Sequence, residues 1–125
     1  MTNSRAKGAR YEVAVVNYLK GHNIDARRNQ AGGRDDRGDI AGWWLDRKPV
    51  IVECKNTQTP RPVQWEKQLR DEMQRAQTAY GLVAVKMGGQ IGMSACLLSP
   101  ALQQICGARI IDLRSLVEKL ERCGQ

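Results

Sequence analysis

Arg37-Gly38-Asp39-Ile40-Ala41-Gly42-Trp43-Trp44, then a short break, then Val50-Ile51-Val52-Glu53-Cys54-Lys55-Asn56 is the stretch that decides how the chain folds. The break, Asp46-Arg47-Lys48-Pro49, has the polar and proline chemistry of a turn. Its flanks are apolar, β-branched or aromatic, which predicts two strands and hence a β-hairpin. Side chains alternate faces along a strand. Ile51, Glu53 and Lys55 therefore share one face, and Val50, Val52 and Cys54 share the other. Asp39 opens the neighbouring strand, where pairing can bring it alongside Glu53. Two carboxylates and a lysine would thus converge on a mostly apolar sheet.

A divalent metal accounts for such a set. Mg²⁺ takes oxygen ligands, commonly one or two carboxylates, and keeps waters and substrate phosphates in its other positions. It polarises a phosphoryl oxygen and activates water for in-line attack. A lysine beside it can hold the attacking water or offset charge developing on the phosphate. The competing account is a buried Glu53–Lys55 ion pair with Asp39 as a turn residue.

With 125 residues the chain is long enough for one domain with one core, spanning residues 1–125. No apolar run approaches a membrane span, and the N-terminus lacks an apolar signal core, so a soluble, intracellular, cytoplasmic protein is expected. Cys54, Cys96, Cys106 and Cys123 show no Cys-x-x-Cys spacing and His22 is the single histidine, which argues against structural zinc and for reduced thiols. A formal charge of +7 suits an acidic polymer, of which nucleic acid is the commonest. Charge by itself does not separate DNA from RNA, or an enzyme from a packaging protein.

Outward from the centre, a helix is predicted from roughly Lys7 to Lys20, after a polar, frayed start. Val15, Val16 and Leu19 form its apolar stripe. Glu12 lies three, four and seven residues before them and so points along the stripe, although a glutamate near a helix start also suits the helix dipole. Gly21 is the expected C-cap. Ile24 to Arg28 is a short strand. Asn29 to Gly38 is a glycine-rich, charged loop, either plainly solvated or contacting phosphates through its arginines. Beyond Asn56, a loop leads to a helix from about Val63 to Tyr80, with Trp65, Leu69, Met73 and Ala76 on its apolar face. Its glutamines are assigned no catalytic role. Leu82 to Met87 is a buried strand, Ile91 to Leu98 an edge strand, Ser99 to about Ile105 a helical turn, Arg109 to Leu113 a last strand and Arg114 to Arg122 a last helix.

Asp39 followed by Glu53-Cys54-Lys55 resembles the Asp…(Asp/Glu)-x-Lys signature of the PD-(D/E)XK nucleases. The order α, β, β, β, α, β from Lys7 to Met87 matches that family's αβββαβ core over about two-thirds of the chain. The resemblance implies an α/β fold with a mixed, restriction-endonuclease-like sheet and C-terminal additions. It also implies a glutamate on the first helix, which Glu12 supplies. Gly8-x-x-x-Glu12 after Lys7 is similar to the helix start of archaeal-type (Hjc-like) Holliday junction resolvases. Two features depart from the pattern: Gly38 stands where a proline usually precedes the aspartate, and Ala31-Gly32-Gly33 stands where the resolvases often carry a serine.

The resemblance implies a Mg²⁺-dependent DNA endonuclease, with Mn²⁺ as a substitute ion, acting on branched or junction DNA, most simply as a homodimer. Glu12, Asp39, Glu53 and Lys55 would be catalytic. Asp39, Glu53 and the Cys54 carbonyl would hold the metal, with Glu12 a further candidate ligand. Arg5, Lys7, Arg10, Arg27, Arg28, Arg34 and Arg37 would bind DNA. The alternatives are a phage or repair nuclease of the same superfamily acting on ends, flaps or single strands, and a nucleic-acid-binding protein with a degenerate site. The apolar residues from Ile91 to Leu98 and at Leu113, Leu116, Val117 and Leu120 would form a dimer surface or pack on the protein's own sheet.

Overall fold

A computed structural model describes residues 4–29 and 38–123. The first helix, α1 (Ser4–Lys20), is followed by β1 (Arg27–Arg28), β2 (Ile40–Ala41), β3 (Trp44–Leu45), β4 (Lys48–Pro49) and β5 (Ile51–Lys55). Then come α2 (Pro62–Ala76), β6 (Gly81–Val85), a 3₁₀ turn at Ile91–Met93, β7 (Ala95–Leu98), α3 (Pro100–Cys106), β8 (Ile110–Asp112) and α4 (Leu113–Cys123). Strands pair in the order β1-β2-β5-β6-β7-β8. β5 and β6 run parallel, and the other neighbours in this sheet are antiparallel. The described residues are therefore a mixed α and β fold, with helices packed on both faces of a mixed sheet.

The pleat of β5 and β6 explains the layers. Val50, Val52, Leu82 and Ala84 join the larger core with Val15 and Leu19 of α1, Leu102 of α3, and the apolar stripe of α4. Ile51 and Val83 point the other way and pack with Trp65 and Leu69 of α2. Parallel strands need a crossover, and α2 supplies it while covering the second face. Gly81 starts β6 where that helix comes closest: a Cβ there would lie 2.6 Å from the Met73 sulfur.

The expected hairpin is present with an insertion. Ile40 pairs with Val52, but the segment between them folds back into its own small hairpin, Trp44 opposite Pro49 and Leu45 opposite Lys48. Asp46 and Arg47 both have positive φ, the conformation that a two-residue hairpin turn requires. Trp43 is buried by this arrangement and Trp44 is exposed.

Several boundaries differ from expectation. α1 begins at Ser4, so residues 4–6 are helical and not frayed. Asn23, not Gly21, takes the left-handed conformation after it. α2 ends at Ala76 because Gln77 adopts the left-handed cap that glycine was expected to provide at Gly81. Ile91–Met93 is a 3₁₀ turn, and β7 is an inner strand because β8 pairs along its outer side. Leu113, Leu116, Val117 and Leu120 are buried against the protein's own sheet, which removes them as a dimer surface. Among the described residues no helix is long and apolar enough to cross a membrane.

Gly42 makes a test of how β2 is seated. Its φ is +97°, and a Cβ would fall on the backbone carbonyl of Asp25. Gly42→Ala is expected to destabilise the protein by about 2 kcal/mol or more, from positive-φ strain plus backbone clash. Urea unfolding with an unchanged midpoint would contradict this packing.

Candidate active site

Asp39 is positioned by main chain on both sides. Its N–H donates to the Val52 carbonyl at 2.8 Å, and its own carbonyl accepts from the Asn29 N–H at 2.9 Å. With Ile40 opposite Val52, the regular partner of the Cys54 N–H would be the Gly38 carbonyl. The Asp39 side chain takes that bond instead: Oδ2 accepts from Cys54 N–H at 2.8 Å. The displaced Gly38 carbonyl accepts from the Asn29 side-chain amide at 3.0 Å. Gly38 has φ +91°, and a Cβ there would sit 2.8 Å from the Val52 oxygen. Proline, fixed near −65°, could not take this conformation. The missing proline of the resembled signature thus has a local backbone cause.

Glu53 points to the α2 face and is 2% exposed. Lys55, two residues on, points the same way. Its Nζ donates to Oε1 of Gln68 at 3.0 Å, while the Gln68 amide donates to Glu53 Oε2 at 3.4 Å. The direct Lys55–Glu53 approach is 4.0 Å, so Gln68 bridges the two more closely than they meet. Glu72, one turn along α2, is completely buried beside Glu53. Burial pushes the Glu53 carboxyl up to about 10, and the adjacent Glu72 and Asp39 carboxyls add to the rise. Burial also raises Glu12, with the Asp39 charge adding and Arg28 opposing.

Cys54 lies on the opposite face from Glu53. Burial holds its thiol well above the usual range, and the negative charges of Asp39, Glu12 and Glu53 act in the same direction. A thiolate nucleophile is therefore disfavoured there. Its main chain, not its sulfur, belongs to the site. Cys54, Cys96, Cys106 and Cys123 are all free thiols.

The structure thus brings together Asp39, Glu53, Cys54 and Lys55. Glu12 lies on the other side of the sheet's edge, within the field of Asp39, and its carboxylate accepts from Arg28 Nε at 3.1 Å. The expected DNA-binding cations that fall among the described residues lie on α1 and β1. Arg28 is occupied by Glu12, Arg27 is exposed on β1, and Arg5 is exposed at the start of α1. Lys7 and Arg10 line a cavity on α1. Arg34 and Arg37, with the rest of the glycine-rich loop, lie outside the described residues.

Gln68 and Glu72 were missed in the sequence, although a signal for Glu72 existed. It stands seven residues after Trp65 and three after Leu69, on the same helical stripe, so it had to be buried. Gln68 precedes Leu69 at the edge of that stripe, a position that hydrophobic periodicity leaves undecided.

Among the described residues no group of three or more His, Cys, Asp or Glu side chains is arranged to hold a metal ion. What they offer is a pair of oxygen ligands, Asp39 and Glu53, with the Cys54 carbonyl next after Glu53 in sequence. This suits a hard ion that completes its shell with water and phosphate. The crowding of carboxyls around Glu53 also suits a cation, since either a proton or a positive ion relieves it. No protein-family model matches the chain, and no curated protein matches it significantly.

The Glu53 shift sets a pH dependence. The folded state binds the proton up to about pH 10, whereas an ordinary glutamate releases it near 4.5. The stabilisation is complete below the lower value and is lost as pH rises toward the higher one. In EDTA at pH 9, Glu53→Gln should melt at least about 5 °C above wild type, and the two should converge near pH 4. Parallel melting curves across that range would show that Glu53 is not under this strain.

Proposed function

We propose that the protein is a metal-dependent endodeoxyribonuclease that hydrolyses phosphodiester bonds in branched DNA, in the manner of Holliday junction resolvases. The observation that carries the reading is the meeting of Asp39, Glu53 and Lys55 at the C-terminal end of β5, with Asp39 fixed by the Cys54 N–H. The element order from α1 to β6 supports the restriction-endonuclease-like core that the signature implies. The charge of +7 supports a polyanionic substrate.

Asp39 and Glu53, with the Cys54 carbonyl, would hold Mg²⁺, or Mn²⁺ in its place. When bound, such an ion supplies Lewis-acid polarisation of the phosphate and a more acidic water. Lys55 carries the positive charge of the site. Its ammonium can orient the attacking water or oppose the charge that grows on the phosphate oxygens. Gln68 holds that ammonium on one side and Glu53 on the other, which limits its rotamers before substrate arrives. Glu12, restrained by Arg28, places a further negative charge near Asp39 and can accept a proton from water. Paired cuts in a two-fold symmetric junction would need two such sites, most simply in a homodimer.

The direct test is incubation with junction, flap, linear duplex and single-stranded DNA, in Mg²⁺ or EDTA. Junction cleavage that EDTA abolishes is expected. Cleavage of ends or flaps alone would reassign the substrate within the same chemistry, and no cleavage of any DNA in Mg²⁺ would remove the enzymatic reading. Asp39→Asn should abolish cutting and leave DNA affinity nearly intact, because basic residues carry affinity.

Lys55→Met separates catalysis from structure. As the plain partner of a buried glutamate, Lys55 would cost about 3–5 kcal/mol on removal. In the catalytic reading the cleavage rate falls by at least about a hundredfold with little change in melting temperature. A fully active or a grossly unfolded Lys55→Met protein would contradict the assigned role.

A further inference from the structure

Lys7 and Arg10 lie one turn apart on α1, and Lys86 follows the last residue of β6. The three cations line one cavity of about 460 Å³, together with Asn56, over a floor that includes Tyr11 and Ile91. Among the described residues no carboxylate forms an ion pair with any of them. Three positive charges gathered without a counter-charge repel one another, and an anion in their midst relieves that repulsion. The Tyr11 hydroxyl is already committed to Ser94 at 2.8 Å, so the floor is fixed and the polar groups left to a ligand are cationic or amide. A group with several oxygens and a negative charge fits this donor set.

The cavity is tied to the candidate active site by main chain. The Lys86 N–H donates to the Lys55 carbonyl at 2.9 Å, and Asn56 is the next residue after Lys55. Neighbouring strands lie about 4.8 Å apart, so the cavity begins within a residue or two of the carboxylate site. It opens toward α1, whereas Glu53 and Lys55 face α2. A ligand spanning both would cross the C-terminal ends of β5 and β6.

We propose that the Lys7–Arg10–Asn56–Lys86 cavity is a second phosphate subsite, holding a phosphodiester that flanks the one presented to Asp39 and Glu53 on the same strand. This rests on the nuclease reading above for its choice of ligand. Lys86 and Asn56 gain a role that the sequence did not suggest. The subsite grips substrate on the β6 side of the reacting phosphate, and it gives the strand a direction through the site.

Binding is measured without catalysis, by fluorescence anisotropy of labelled junction and duplex DNA in EDTA over a series of salt concentrations. Arg10→Ala and Lys86→Ala should each weaken binding and make the salt dependence shallower by about one released counterion, and the double variant by about two. Lys86→Arg should keep the wild-type slope. Circular dichroism melting confirms that each variant is folded. In parallel, inorganic phosphate is titrated against the melting temperature of wild type and the double variant. An unchanged salt slope in a folded double variant overturns the subsite. The same unchanged slope, with phosphate stabilising wild type alone, overturns it in favour of a free-anion site. Loss of slope in a protein that never cuts DNA in Mg²⁺ supports the phosphate subsite while removing the catalytic reading. A wild-type protein that binds no DNA removes both.

Discussion

Asp39 touches β5 with both its main chain and its side chain, and the candidate site depends on that double attachment. The N–H bond to Val52 falls one residue out of the Ile40–Val52 register, and the carboxylate bond to Cys54 N–H takes the place of the next backbone bond. A carboxylate that satisfies a strand N–H cannot swing away without leaving that donor unpaired, at a cost of about 1–3 kcal/mol. Gly38 and Asn29 complete the exchange, one by bending without a Cβ and the other by capturing the released carbonyl. The geometry of Asp39 is thus set by backbone pairing, which is stiffer than side-chain packing alone.

The second constraint is electrostatic. Glu53 lies under α2, where apolar residues of the helix and sheet exclude water and where Glu72 and Asp39 crowd its carboxyl. Low dielectric magnifies both the repulsion among these groups and the attraction of any cation that enters. Gln68 stands as a neutral bridge between Glu53 and Lys55. It orders the lysine without cancelling its charge, as a direct carboxylate contact would.

The pleat of β5 then sorts chemistry between the two faces. Glu53 and Lys55 fall on the α2 side. Cys54 and Asn56 fall on the α1 side, where the thiol is buried and the amide lines the basic cavity. One strand end therefore presents a cluster of buried carboxyls with a lysine on one face and the basic cavity on the other.

Much of this was legible in the chain. The alternation Ile51-Val52-Glu53-Cys54-Lys55 determined which side chains share a face, because a strand has a period of two whatever surrounds it. The stripe Val15, Val16, Leu19 likewise determined that Glu12 lies toward the sheet. Other features depended on pairing partners far away in sequence. Whether α4 covers the protein's own core or another subunit cannot follow from its amphipathic pattern, which is the same in both cases; the sheet next to it decided. The helix end at Gln77 was hidden because a non-glycine residue took the left-handed cap. Gln68 and Glu72 acquired their positions only when α2 settled over β5. The sequence by itself determined the periodic faces and the identity of the charged groups on them. Tertiary structure decided which of those groups meet, since contact between residues on different elements depends on register and crossover, and neither is encoded locally.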